Sequence, residues 1–310
     1  MARSPLTTRW VWLDGRVVPA ASARISVFDR GFLYGDAVFE TVRFYGGRPF
    51  RWDAHRRRLT RSLAHFGIAM PKADLLSASL RLLARCRLDE AAVRITVTRG
   101  VGEGLSPPTR MQPTVLIAAR PIPSDLPALR RDGIWVVTLA FGRGVGDATQ
   151  GHKTTDYLSS IQGRRIATRA RASDALFVEC DDTVSEATAS NCFVVRHGRL
   201  ETPPLASGGL PGVTRAWVLD EAGRIGWKVR LGPLPRADLA SADEMFLTNS
   251  VIEILPVVRI DGRDVGSGRP GDVTRALQER FARAIARLGS RAGARTTPRA
   301  ARSPVRSRRQ

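Results

Sequence analysis

Lys153 stands in the run Gly151-His152-Lys153-Thr154-Thr155-Asp156-Tyr157-Leu158, directly after a glycine-rich stretch from Phe141 to Gly151. It is the only lysine between Lys72 and Lys228, in a chain whose 49 basic residues are nearly all arginine. A solvated surface charge gives no reason for lysine here, since arginine would serve. Covalent chemistry does, because an amine can lose its proton and condense with a carbonyl carbon, and a guanidinium cannot. Taken alone, the residue also reads as an ordinary loop lysine. A second feature points to an anion. Leu210-Pro211-Gly212-Val213-Thr214 sets a glycine and a hydroxyl at the start of a helix. Unpaired N–H groups there, together with the helix dipole, favour a dianion such as phosphate.

The elements that must position these residues are legible as periodicity and turn chemistry. Val11 to Val18 reads as a hairpin turning at Asp14-Gly15, and Val38 to Phe50 as a second turning at Gly46-Gly47. Asp53 is expected to cap a helix running to Phe66, with Leu59, Leu63 and Phe66 on one face. Lys72 to Arg85 reads as a helix with Leu75, Leu76, Leu80 and Leu83 inward. Val93 to Thr98 alternates like a half-buried strand, with Thr114 to Ala119 as its partner. Further on, strands are expected at Ile134–Leu139, Ala175–Cys180, Trp227–Leu231 and Met245–Thr248, with a hairpin over Phe193–Leu200 turning at His197-Gly198. Helices are expected after Lys153 to about Ala172, from Val213, and from Val273 to Leu288. The mix implies an α/β (α+β) protein with a cleft between two lobes. The division is a disordered N-terminus over 1–9, a small domain over 10–120, a linker over 121–133, a larger domain over 134–288, and a tail over 289–310.

Composition narrows the classes. No apolar run is long enough to span a bilayer, and Met1 to Arg9 lacks the apolar core of a signal peptide. Cys86, Cys180 and Cys192 are odd in number and without metal-ligand spacing, which points to a reducing cytoplasm and no structural or catalytic metal. The net charge of +20 invites a nucleic-acid reading, but seven of those charges are arginines of the tail from Gly289 to Gln310. That tail holds no acidic residue and no apolar period, so it reads as a solvated, disordered segment. A basic surface also steers small anions. His55 and His65 read as helix-surface or capping residues, whereas His152 is ambiguous beside the lysine.

Five stretches, in order and spacing, resemble the class IV aminotransferases, the fold type IV pyridoxal-phosphate enzymes. They are Phe28–Thr41, Gly151–Leu158, Val184-Ser185-Glu186-Ala187-Thr188-Ala189-Ser190-Asn191-Cys192-Phe193, Thr202–Arg215 and Glu244–Ile254. The resemblance covers Trp10 to Ala282 and implies a two-domain fold like that of D-amino-acid aminotransferase, a homodimer, and pyridoxal 5'-phosphate as cofactor. It makes Lys153 the amine that carries the cofactor and Glu186 the partner of the pyridine nitrogen. It assigns the phosphate to the Val213 amide, the Thr214 and Ser250 hydroxyls and Arg58, the arginine selected by His55-x-x-Arg58-Leu59. Tyr157 falls beside the ring oxygen. Without the resemblance Glu186 reads rather as an exposed hairpin carboxylate and Arg58 as one of several solvated arginines, while Tyr157 reads equally as a core residue of its helix.

Within the family, Lys153-Thr154-Thr155-Asp156-Tyr157 is one residue shorter than the glycine-containing run of branched-chain enzymes. Phe39-Glu40-Thr41 has threonine where those enzymes have glycine, and the loop Gly100–Ser106 lacks the Arg-x-His clamp of D-amino-acid enzymes. These details resemble 4-amino-4-deoxychorismate lyase, which forms 4-aminobenzoate and pyruvate for folate synthesis. On that reading Lys153 removes the ring proton, Thr41 protonates or orients the leaving group, and Arg43 and Arg94 on facing strands pair with carboxylates. Tyr34 and Phe39 complete the substrate wall. Asp156 and Asp36-Ala37 depart from the common Asn and Asp-Gly. The alternatives are a transaminase of branched-chain or D-amino acids on the same scaffold, and a basic nucleic-acid-binding protein.

Overall fold

The computed structural model describes residues 9–107, 111–144 and 146–290. The expected disordered N-terminus, apart from Arg9, and the tail from residue 291 lie outside these, while Gly289 and Ser290 belong to the last helix.

The first sheet has six strands, β1 (Trp10–Leu13), β2 (Arg16–Pro19), β3 (Ala37–Tyr45), β4 (Arg48–Pro49), β5 (Ala91–Thr98) and β6 (Val115–Pro121), in the order β2-β1-β6-β5-β3-β4. Asp14 and Gly15 both take positive φ and join β1 to β2, as the Asp-Gly pair requires. In β3 every second side chain faces the helices. Val38, Val42 and Phe44 bury there against Leu59 and Leu63 of α2 (Trp52–His65) and Leu82 of α3 (Leu75–Cys86). The alternate residues Phe39 and Thr41 face away from that core, into the cleft. A short helix, α1 (Arg30–Tyr34), capped by Asp29, precedes β3.

Several boundaries differ from expectation. Arg51, with φ of 49°, stands at the N-cap of α2, so Asp53 lies in the first turn rather than capping it. The next helix starts at Leu75, not Lys72, because Asp74 accepts from the Leu76 and Ser77 amides. Its buried stripe is Leu75, Ala78, Leu82 and Leu83, and Leu80 is 41% exposed. Five residues after Leu75, Leu80 is turned about 140° around the axis. The expected linker contains a helix, α4 (Leu126–Asp132), with Pro127 in its first turn.

The second sheet is mixed and has nine strands: β7 (Ile134–Thr138), β8 (Asp174–Val178), β9 (Val184–Ala187), β10 (Asn191–Arg196), β11 (Arg199–Thr202), β12 (Val229–Leu231), β13 (Glu244–Asn249), β14 (Glu253–Ile260) and β15 (Arg263–Asp264). Its order is β12-β11-β10-β13-β14-β7-β8-β9, with β15 pairing β14. β7 runs parallel to both β8 and β14. The β10–β11 hairpin turns at His197-Gly198, both at positive φ. Helix α5 (Leu158–Arg169) follows the lysine run, α6 (Val213–Arg224) the glycine-rich turn, and α7 (Asp272–Ser290) closes the chain. One face of the sheet packs Phe193, Phe246 and Ile254 against Trp217 of α6 and Leu277 and Phe281 of α7. The protein is thus a mixed α/β fold of two sheets. Among the described residues no helix is long and apolar enough to cross a membrane.

Candidate active site

The lysine is placed by backbone pairing. Phe39 N–H donates to the Lys153 carbonyl (2.8 Å) and Thr155 N–H to that of Ala37 (3.1 Å), so the lysine run lies along β3. Its side chain enters the cleft, where Nζ donates to Tyr157 Oη at 3.0 Å and lies 4.6 Å from the centre of the Phe39 ring. The amine is therefore wedged between two aromatic rings, which restricts its rotamers.

Opposite stands Glu186 on β9, 3% exposed. It is not a hairpin surface carboxylate. Its Oε2 accepts from Leu210 N–H (2.9 Å) and Asn191 Nδ2 (3.2 Å), and its Oε1 from Arg143 Nη1 (2.8 Å). Burial raises its pKa, against the attraction of Arg143.

The start of α6 forms the third side. Gly212 is its N-cap, with no side chain satisfying the amides that follow. A Cβ on Gly212 would lie 2.0 Å from Asn191 Oδ1, so a larger residue would displace the Asn191 side chain. Val213 lines the cavity, and the Thr214 hydroxyl is buried without a hydrogen-bond partner. An orphaned buried hydroxyl is costly unless a ligand completes it. Ser250 also lines the cavity, its Oγ 3.4 Å from His55 Nε2.

Arg58 spans the two lobes. Its Nε and Nη2 each donate at 2.7 Å to Glu40 of β3, and its Nη1 donates to the Pro211 carbonyl at 2.8 Å. Glu40 also meets His55 Nδ1 at 2.7 Å. Burial alone would raise the Glu40 pKa, but Arg58 and His55 outweigh it and hold the carboxyl at about 2. His55, 2% exposed, is thus a core member of this network and not a surface residue. The spacing carried the signal: residues 55, 58, 59 and 62 share one buried face of α2. Glu40 was equally readable as the inward carboxylate of the alternation Val38, Glu40, Val42, Phe44. His65 and His152 stack at 4.1 Å at the end of α2.

The cleft thus brings together Lys153, Tyr157, Glu186, Arg58, Val213 and Ser250, with Thr214 buried behind Val213. Phe39, Thr41 and Arg94 line it too, Arg94 lying 3.4 Å over the Phe39 ring. Two expected residues are elsewhere. Arg43 is buried and bound to Glu253 (2.7 Å) and the Val251 carbonyl (2.7 Å), stacked on Tyr45. Tyr34 is 43% exposed, accepts from Gly104 N–H, and does not line the cleft. Arg120 and Arg143 line it without having been foreseen. No group of three potential metal ligands occurs among the described residues.

Residues 37–260 match the family model described as amino-transferase class IV. The chain is 37% identical over 275 residues to a putative branched-chain-amino-acid aminotransferase of Methanocaldococcus jannaschii, covering 87% of this chain and 94% of that protein. It is 33% identical over 274 residues to the aminodeoxychorismate lyase of Bacillus subtilis, covering 86% and 92%. The crystal structure of the Escherichia coli branched-chain amino acid aminotransferase superposes with a TM-score of 0.85 at 30% identity, over 90% of this chain and 95% of that one. The chain belongs to the class IV aminotransferase family. It is an enzyme, and its cofactor is pyridoxal 5'-phosphate. The fold is that of the fold type IV enzymes.

The cleft fits that cofactor: an amine, a buried carboxylate for the ring nitrogen, and an N-terminal helix turn with an orphaned hydroxyl and an adjacent guanidinium for the phosphate. Glu40→Ala should cost about 3–5 kcal/mol in chemical denaturation, because it strands the Arg58 charge in the interior. The Glu40 contribution is complete above the ordinary carboxylate range and is lost as pH falls toward 2, since its folded pKa is the lower one. A loss under 1 kcal/mol would show that solvent reaches Arg58.

Proposed function

We propose that the protein is an amino-acid aminotransferase using Lys153 as its proton carrier. The observation that carries this over a lyase is the position of Arg43. The two-carboxylate clamp of the lyase reading needs Arg43 beside Arg94, and Arg43 is committed to Glu253 and the Val251 carbonyl. The similarity to branched-chain aminotransferases supports the same reading. Phe39, Leu210, Val251 and Ile252 give the cleft apolar walls suited to an aliphatic donor, and Arg94 and Arg120 give it cations suited to a substrate carboxylate.

When bound, the cofactor supplies an electron-accepting ring. The chain does the rest. Arg58, Ser250, Thr214 and the amide of Val213 would hold the phosphate, and Glu186 would keep the ring nitrogen protonated. Lys153 would take the proton from the substrate α-carbon and return it to the cofactor carbon. Tyr157 and Phe39 flank the Lys153 amine and would keep it directed at the bound cofactor. Product that appears only with an added keto acid supports amino transfer. Release of 4-aminobenzoate and pyruvate in equal amounts without any acceptor overturns it in favour of the lyase.

The second reading, the lyase, has two observations in its favour: the Thr41 side chain faces the cleft, and the chain is similar to the Bacillus subtilis aminodeoxychorismate lyase. If its hydroxyl serves elimination, Thr41→Gly should lower 4-aminobenzoate formation by about ten- to a hundredfold, the worth of roughly 1.5–3 kcal/mol for one charge-assisted hydrogen bond. Aliphatic transamination should be spared. Equal loss of both activities would assign Thr41 to packing.

We also infer a homodimer. Val27, Phe28, Phe32 and Leu105 are 64%, 49%, 74% and 83% exposed. The segments that carry them lie side by side, since Gly102 N–H donates to the Phe28 carbonyl and Asp29 bridges Val101. Exposed apolar side chains on paired segments suit burial against a second copy. Light scattering should give twice the chain mass, and Phe32→Asp should shift it toward one. A monomeric wild type would refute the assignment.

A further inference from the structure

Arg143 belongs to the glycine-rich stretch before the lysine, and its position is built. Its own N–H donates to Glu179 Oε1 at 3.0 Å, and Gly144 N–H donates to Glu179 Oε2 at 3.3 Å. Ser185, next to Glu186, donates its hydroxyl to the same Glu179 Oε1 at 2.6 Å. A Cβ on Gly142 would lie 2.1 Å from Glu179 Oε2, so the backbone closes on that carboxylate only because residue 142 is glycine. One buried carboxylate thus anchors the backbone, and the side chain so delivered reaches a second. Arg143 Nη1 lies 2.8 Å from Glu186 Oε1, with the guanidinium 5.6 Å from the centre of the Phe177 ring.

We propose that Arg143 is a positioning residue of this site, holding Glu186 as an oriented carboxylate so that it can pair with the protonated ring nitrogen of the cofactor. The proposal rests on the reading of Glu186 as the ring-nitrogen partner. A carboxylate this deeply buried takes up a proton unless a cation compensates it. Of the charges facing Glu186, Arg143 is the one in direct contact. Lys153, Arg58 of α2 and Arg215 of α6 act at longer range, and the Cys192 thiol lies on the neighbouring strand. The remaining donors, Leu210 N–H and Asn191 Nδ2, both go to Oε2 and bring no net charge. Without Arg143, Glu186 becomes a neutral acid. A neutral acid can hydrogen-bond a ring nitrogen but cannot offset its positive charge.

Infrared spectra of the cofactor-free protein at pH 7 provide the test, with binding of pyridoxal 5'-phosphate measured alongside. R143Q should show a protonated-carboxyl band that the wild type lacks, that disappears in the R143Q/E186Q double variant, and that R143K does not show. R143Q should bind pyridoxal 5'-phosphate at least about tenfold more weakly than the wild type, with R143K restoring most of the affinity and R143Q adding nothing to E186Q. An R143Q protein without that band, or one that weakens binding equally in the E186Q background, would overturn the proposal, since Arg143 would then act independently of Glu186. Wild-type cofactor affinity in E186Q would instead sink the reading of Glu186 on which it rests, whatever the infrared result. R143K carries the same charge on a different frame, so its recovery separates compensation of charge from mere filling of space.

Discussion

Lys153→Ala should eliminate turnover while leaving the protein able to bind pyridoxal 5'-phosphate without a covalent bond. Loss of the proton carrier alone accounts for about 10²–10⁴-fold, and loss of the covalent attachment adds to it. Binding should survive because the phosphate contacts proposed for Arg58, Ser250 and the start of α6 do not need the amine. Treating the loaded wild type with borohydride should fix the cofactor to Lys153, and peptide mapping reads the position directly. An adduct on Lys72 or Lys228, the other two lysines, would remove Lys153 from the chemistry and with it the role given to Tyr157.

The second large effect is expected at Glu186. Glu186→Gln keeps the shape and can still take the Leu210 amide, but an amide cannot hold a positive charge on the cofactor ring. Stabilisation of the developing carbanion then falls by the worth of one preorganised electrostatic partner, about 10²–10³-fold in kcat. The folded state should tolerate the change, since the neutral amide is easier to bury than the acid's charged form. A variant with wild-type turnover would reduce Glu186 to a structural carboxylate.

The sequence was most legible where local chemistry decides. Asp14-Gly15 and His197-Gly198 named their own turns, because only certain residues adopt the required positive φ. Gly212-Val213-Thr214 marked a helix start, and Gly212 does stand at the N-cap of α6 with no side-chain cap. It was least legible where the outcome depends on contacts between the lobes. Arg43 and Thr41 lie on the same side of β3, and nothing in their spacing tells that one meets the cleft and the other Glu253, 210 positions along the chain. Strand β14 went unread because Pro256 interrupts it, yet Pro256 only lacks a donor, and pairing to β7 begins at Val257. Arg143 hid in a stretch that reads only as glycine-rich, because the carboxylate that holds its backbone, Glu179, follows another strand.

The bond from Phe39 N–H to the Lys153 carbonyl has a mechanical meaning. The Lys153 amine comes from the run that leads into α5, beside the second sheet, yet its main chain is tethered to β3 of the first sheet. Amine and aromatic wall therefore share one frame of reference, and any hinge between the lobes carries them together. What such a hinge would alter is the gap between that frame and Glu186, which belongs to β9 of the second sheet.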